Sequence, residues 1–194
     1  MFGWILKKWA IHDPLPEKVT AIVAVSYGAT KTGLTNASEE VVKQVLLVSQ
    51  RFPDAKIFWG SFAHGPSHTI EISEKQGIFP AEQSFYIGKV TSTTDECLAI
   101  KRLIAQTNSD SSSIVIVAEE CHSRRCRMVW KYFFKNSEIC FHSIPAREAE
   151  DPENPMILQR NWRIWFVANI VGWVVFKTVG IPRMARWNFH QPTS

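Results

Sequence analysis

Ser113-Ile114-Val115-Ile116-Val117-Ala118 runs into Glu119-Glu120-Cys121-His122-Ser123-Arg124-Arg125, and the reading of this stretch decides the fold. The first part is an apolar run of strand length with β-branched residues at four consecutive positions. Such a run places apolar side chains on both faces of a sheet, as a central parallel strand requires. Polar residues end it, and a helical pattern follows from about residue 123 to 134. A doubly buried strand followed by a helix is the repeating unit of a parallel sheet covered on both sides.

The same alternation extends outward in both directions. Residues 19–25 form an apolar first strand, broken by Ser26-Tyr27-Gly28-Ala29-Thr30. Asn36 with Glu39 three residues later matches a capping box, and Val41, Val42, Val45, Leu46 and Val48 supply a helical apolar face that ends near Arg51, ahead of Pro53. Residues 56–59 predict a second strand, residues 60–66 a breaker-rich loop, and residues 68–75 a short helix that Gly77 is placed to stop, with Pro80 preventing its continuation. Residues 84–87 predict the third strand, and residues 95–106 a helix presenting Cys97, Ile100, Leu103 and Ile104. Residues 139–143 predict the fifth strand. Parallel neighbours need crossover connections of this kind. The expected fold is therefore a three-layer α/β/α, Rossmann-like domain with a mainly parallel five-stranded sheet and a C-terminal apolar helix.

Composition bounds the alternatives. A chain of 194 residues, 45% hydrophobic, buries one substantial core and is too short for two ordinary domains. The expected organisation is an aromatic, basic N-terminal extension at 1–18, the α/β domain at 19–145, an acidic, proline-containing linker at 146–155, and an apolar helix with a basic tail at 156–194. A formal charge of +4 falls short of the dense basic stripe of a dedicated nucleic-acid binder, so no nucleic-acid partner is expected. Cys97, Cys121, Cys126 and Cys140 lack paired spacing and read as free thiols in a reducing compartment. The first residues, interrupted by Lys7 and Lys8, lack the pattern of a signal peptide. A cytoplasmic location is expected.

In open α/β sheets, ligands bind beyond the carboxyl ends of the strands near the point where strand order reverses. That directs attention to residues 26–36, 89–95 and 119–125. Thr91-Ser92-Thr93-Thr94-Asp95-Glu96 puts hydroxyls and backbone N–H groups at the start of a helix, whose dipole favours an anion. The alternative is that Thr93 caps the helix and Glu96 reaches back to its amide. Arg124 and Arg125 fall in an expected first helical turn, where a bound anion would offset the unfavourable placement of cations. His122 would add a proton donor. Here the alternative is that Glu119 and Glu120 neutralise the arginines on a solvated surface. Cys121, His122 and Cys126 lack a fourth ligand for zinc, and a Cys121 nucleophile lacks an orienting partner, so no metal is expected. Gly28, Gly60 and Gly65 would allow backbone approach to a ligand, but no dinucleotide or P-loop glycine pattern is present.

Two of these stretches carry a resemblance. Thr91-Ser92-Thr93-Thr94-Asp95-Glu96, preceded by Gly77-Ile78-Phe79-Pro80, resembles the Ser-x-Asn-Thr-x-Glu and Gly-Val-Pro patterns of the YdcF/SanA/ElyC-like family. The strand at 114–117 followed by His122-Ser123-Arg124-Arg125 resembles that family's apolar strand and His-x-x-Arg. The likeness spans roughly residues 19–145 and matches Thr94, Glu96, His122 and Arg125. Thr93 stands where the motif has Asn, and Trp59-Gly60-Ser61 where it has Ser-Gly-Gly. The resemblance implies a Rossmann-like sheet, a polar cleft, S-adenosylmethionine binding in one branch and bacterial envelope-biogenesis roles in others.

The closing segment, residues 164–176, is apolar except for Asn169 and is flanked by Arg160, Arg163 and Lys177. It is short of the ~20 residues of a typical transmembrane helix. Three readings stay open: a final helix packed on the sheet and apolar because it is buried, a helix whose tryptophans among basic flanks lie at a membrane interface over residues 160–187, and a spanning helix, which the length disfavours. The functional expectation is a protein that holds a phosphate- or carboxylate-bearing small molecule, nucleotide- or S-adenosylmethionine-like, with envelope-related metabolism as the setting that the resemblance implies. Ligand contacts are expected from Gly28, Thr91, Thr93, Thr94 and Arg125, and candidate catalytic groups are His122 and Glu96. The competing expectation is a non-catalytic scaffold peripheral to the inner membrane.

Overall fold

A computed structural model describes residues 2–62 and 67–183. Five strands, β1 (Ala21–Ala24), β2 (Lys56–Phe62), β3 (Ser84–Val90), β4 (Ser113–Glu119) and β5 (Glu138–Ile144), form one wholly parallel sheet in the order β3-β2-β1-β4-β5. The helices are α1 (Phe2–Trp9), α2 (Asn36–Arg51), α3 (Ser67–Ile78), α4 (Thr93–Gln106), α5 (Glu120–Phe133) and α6 (Trp162–Val179), with a 3-10 turn at Ile157–Arg160. The three-layer Rossmann-like architecture expected from the alternation is present.

Every residue of β1 and β4 is buried, which explains why both read as unbroken apolar runs rather than alternating ones. They pair in register from Ala21 with Ile114 to Ala24 with Val117. The chain builds β1, β2 and β3 toward one edge, then crosses to β4 and β5 on the other side. The reversal point therefore lies between the carboxyl ends of β1 and β4, where a crevice forms by topology alone.

Several expected boundaries move, each for a local reason. Strands β2 and β3 continue three residues beyond their expected ends, because Gly60, Ser61 and Gly88 are accommodated within the sheet. The register shifts between Trp59 and Ser61, and a Cβ on Gly60 would meet the Gly88 carbonyl and the Ser26 hydroxyl at 3.2 Å. Helix α3 runs through Gly77 to Ile78 and stops before Pro80, so proline and not glycine ends it. The expected loop at 60–66 falls partly at residues 63–66, outside the described residues, as do Gly65 and the basic tail beyond residue 183.

The flanking segments pack on this frame. Trp9 of α1 donates its indole N–H to the Cys121 carbonyl at 2.8 Å, and Arg124 returns bonds to the Trp9 and Lys8 carbonyls at the end of α1. Asp13 exchanges bonds with the backbone of Phe141 and pairs with Arg127 at 3.1 Å, so the segment ahead of β1 lies along the β5 edge and covers it. Residues 146–155 are held by Asp151 and Glu150, which accept from the Asn36 backbone and side-chain N–H groups that open α2. All four cysteines are buried and unpaired.

Candidate functional site

The crevice between β1 and β4 opens into a cleft of about 340 Å³. Ser26 and Tyr27 come from the end of β1, Thr91, Ser92, Thr93 and Glu96 from the β3–α4 junction, and His122 and Arg125 from α5. Helix α6 closes the far side with Trp165, Ala168 and Phe176, and Met156 and Leu158 flank it. The cleft is thus polar at the sheet and apolar toward α6.

Of the residues expected from sequence, Thr91, Thr93, Glu96, His122 and Arg125 meet at this cleft. Gly28 and Thr94 do not line it. Gly28 uses its carbonyl to accept the Ser38 hydroxyl at 2.7 Å, which fixes the start of α2. Thr94 is buried, and its hydroxyl has no partner among the described residues.

The capping reading of residues 93–96 gives way to a different arrangement. Ser92 caps α4 by accepting the Asp95 N–H, and Asp95 reaches back to the Thr91 N–H at 3.0 Å. Glu96 is freed from that duty and instead accepts the Ser26 N–H at 2.9 Å. Only 2% exposed, its carboxyl is pushed up to about 7 by burial, which outweighs the Ser26 bond and the opposing charge of Lys75. Glu96 therefore titrates near neutrality.

Helix α5 also starts a turn earlier than expected. Glu119 caps it, accepting the N–H groups of Cys121 at 2.8 Å and His122 at 3.3 Å, while its Oε2 takes the Trp165 indole N–H at 2.8 Å. The helix N-terminus is thereby satisfied by a carboxylate within the chain, and Arg124 and Arg125 fall beyond the first turn. Burial pushes the Glu119 carboxyl up to about 7 against the bonds from Cys121 and Trp165. Nor do the glutamates neutralise the arginines: Glu120 accepts from Ala146 and faces His12 at 3.3 Å, and Arg124 binds α1 carbonyls.

Arg125 is consequently left without a carboxylate partner among the described residues. Its guanidinium stacks over the Trp165 ring at 5.7 Å and packs on Gly172, where a Cβ would stand 3.1 Å from its Nη1. Its Nε is enclosed with no acceptor. Burial lowers its pKa from the ordinary arginine value, as expected for a cation partly removed from water.

His122 sits at the centre of a directional chain. The Glu119 backbone N–H donates to the Tyr27 hydroxyl at 2.9 Å, and that hydroxyl lies 3.0 Å from His122 Nδ1. On the other side, Nε2 is 2.8 Å from the Thr93 hydroxyl oxygen. Burial, then the neighbouring Arg125 charge, holds the imidazole well below its ordinary pKa, so it is neutral. A neutral ring has one N–H. Tyr27 is buried and accepts from Glu119, leaving its proton for Nδ1; the ring proton then sits on Nε2 and donates to Thr93. The Thr93 hydroxyl proton is left for an acceptor in the cleft.

Four residues at or near the site escaped the sequence reading. Tyr27 was visible only as an aromatic in a small-residue break, and Trp165 looked like one more terminal tryptophan. Glu71 and Lys75 look like an ordinary surface pair one helical turn apart. They form instead a fully buried ion pair at 2.6 Å, with Glu71 accepting the Phe62 N–H and Lys75 donating to the Gly60 carbonyl. Among the described residues no cluster of His, Cys, Asp or Glu could hold a metal ion. Comparison with family models, curated proteins and solved structures finds no match to the chain.

Proposed function

We propose that the cleft binds a small molecule carrying a phosphate or carboxylate, with Arg125 as its anion clamp. The observation that carries this reading is a half-buried arginine with no anionic partner among the described residues, at the reversal point of a parallel sheet. An unpaired cation partly removed from water is costly, and a bound anion would offset that cost through paired N–H donors. The Thr93 hydroxyl, which also lines the cleft, is a further donor.

The apolar side, with Trp165, Ala168 and Phe176, suits a ligand that also bears a flat or apolar portion, such as a nucleotide or S-adenosylmethionine. Support for a YdcF/SanA-like relationship is that Glu96, His122 and Arg125, three of the four matched positions, border one cleft, whereas the fourth, Thr94, does not line it. If the protein is an enzyme, Glu96 suits proton transfer better than His122, since a carboxyl titrating near 7 exchanges protons at neutral pH and an enclosed neutral imidazole does not. His122 then acts as a positioning residue that orients Thr93.

Thermal-shift measurements with inorganic phosphate, adenosine monophosphate and S-adenosylmethionine test the reading. A shift produced by at least one of them and abolished in Arg125→Ala is expected. A set of shifts that Arg125→Ala leaves intact, or no shift from any of the three, refutes the anion-clamp assignment.

A further inference from the structure

We propose that α6 and α1 together dock in the plane of an anionic phospholipid surface, an association separate from ligand binding in the cleft. Helix α6 has two unlike faces. Its inner face, Trp165, Phe166, Asn169 and Phe176 among others, is buried against the domain. Its outer face presents Ile164, Val167, Val171 and Val174, between 46% and 56% exposed, at the spacing of a single helical stripe. A helix facing water would carry polar residues there.

Helix α1 lies alongside. Trp9 packs edge-on against Phe166 and Trp173 with ring centroids 5.6 and 5.7 Å apart, and the same helix exposes Trp4 at 64%. Ile157, in the turn leading into α6, is 72% exposed. These elements thus expose an aliphatic stripe on α6, Ile157 ahead of it in the chain, and Trp4 on the helix packed against it.

Charge identifies the occupant. Helix α1, the 3-10 turn and α6 carry Lys7, Lys8, Arg160, Arg163 and Lys177, all exposed, and no aspartate or glutamate. The Lys8 ammonium sits over the Trp4 ring at 4.0 Å and the Lys177 ammonium over the Trp173 ring at 4.3 Å, so cations and tryptophans are paired beside the apolar stripe. Apolar groups bordered by cations and tryptophan match the layered chemistry of an anionic lipid surface. A second copy of the chain would set these cations against one another.

Docking in the plane agrees with the internal contacts. By length and composition α6 is apolar enough to cross a membrane, but Trp165 is bonded to the buried Glu119 and Gly172 lies against Arg125. A spanning helix would have to abandon both.

Flotation of the full chain with vesicles of phosphatidylcholine alone, or of phosphatidylcholine mixed with phosphatidylglycerol, tests this. The protein is expected to float with the mixed vesicles and to stay behind with the neutral ones. Val167→Asp/Val171→Asp and Arg163→Glu/Lys177→Glu should each weaken binding roughly tenfold or more, the latter because each cation near such a surface contributes about a fivefold gain. Both pairs are exposed, so circular dichroism should report a retained fold, and Leu47→Asp on the remote, exposed part of α2 serves as the control that leaves flotation unchanged. Absence of binding to mixed vesicles overturns the proposal. So does resistance to alkaline extraction, which marks a spanning helix, or a solution dimer that Val167→Asp/Val171→Asp dissociates.

Discussion

The Glu96 carboxylate accepts the backbone N–H of Ser26 at 2.9 Å, joining the helix after β3 to the carboxyl end of β1. This places an acidic side chain across the reversal point of the sheet, where the topology opens a crevice. The bond could be made by a carboxylate or by the carbonyl oxygen of a neutral carboxyl, so burial decides the protonation state. Since burial raises the carboxyl to about 7, the neutral form is favoured below that pH.

A pH-dependent stability difference follows. The Glu96 contribution is fully present below the unfolded value near 4.5 and is lost as pH rises through about 7, because the folded state holds a proton that the unfolded chain releases. Glu96→Gln keeps an acceptor for Ser26 and cannot ionise. Its melting temperature should match wild type near pH 4.5 and exceed it increasingly up to pH 8, by the equivalent of about 2–3 kcal/mol. A constant difference across that range would show that Glu96 does not titrate as its burial requires.

The fold was legible because its signals are local and redundant: apolar runs of strand length, separated by helical patterns, leave little choice of architecture. The site was legible at Thr91, Thr93, Glu96, His122 and Arg125 because topology places their loops near one edge. Which groups they touch was not. Glu119 and Glu120 are adjacent in sequence, yet one caps α5 and the other faces His12, a difference fixed by helix phase and by the packing of α1 and α6. Glu96 stands at capping-box distance from Thr93, but the cap is Ser92, and a one-residue change in where the helix begins redirects the carboxylate to another strand.

The chain from Glu119 through Tyr27 and His122 to Thr93 predicts its own fragility. Tyr27→Phe removes the hydroxyl that accepts from Glu119 and donates to His122, leaving two buried groups without partners. Denaturant unfolding should show a loss of about 2–4 kcal/mol. Nitrogen NMR of wild-type His122 should report the Nε2–H tautomer at neutral pH. Because burial depresses the His122 pKa, its contribution to stability is present above about 6.5 and lost as pH falls through the lower folded value. A doubly protonated ring at pH 6 in the folded protein would contradict the arrangement.

Arg125 separates binding from stability. In most proteins, truncating a half-buried arginine costs stability because a partner is left behind. Here no carboxylate among the described residues would be stranded, so Arg125→Met, which preserves bulk against Trp165, should leave the ligand-free melting temperature unchanged or raise it by the equivalent of about 1 kcal/mol. The same variant should lose any stabilisation by inorganic phosphate. A large destabilisation of the free protein would instead identify Arg125 as a structural cation.

Gly172 offers a way to move the guanidinium without removing its charge. An added Cβ would stand 3.1 Å from both Cδ and Nη1 of Arg125, so the arginine must shift by a few tenths of an ångström or more. Alanine also suits a helix interior better than glycine, by roughly 0.5–1 kcal/mol. Gly172→Ala should therefore hold or raise the melting temperature of the free protein while weakening whatever phosphate response the wild type gives, in contrast to Arg125→Met, which abolishes it. Isothermal titration with phosphate on the two variants measures this, and an unchanged affinity in Gly172→Ala would mean that the contact between α6 and the guanidinium does not set the geometry of the clamp.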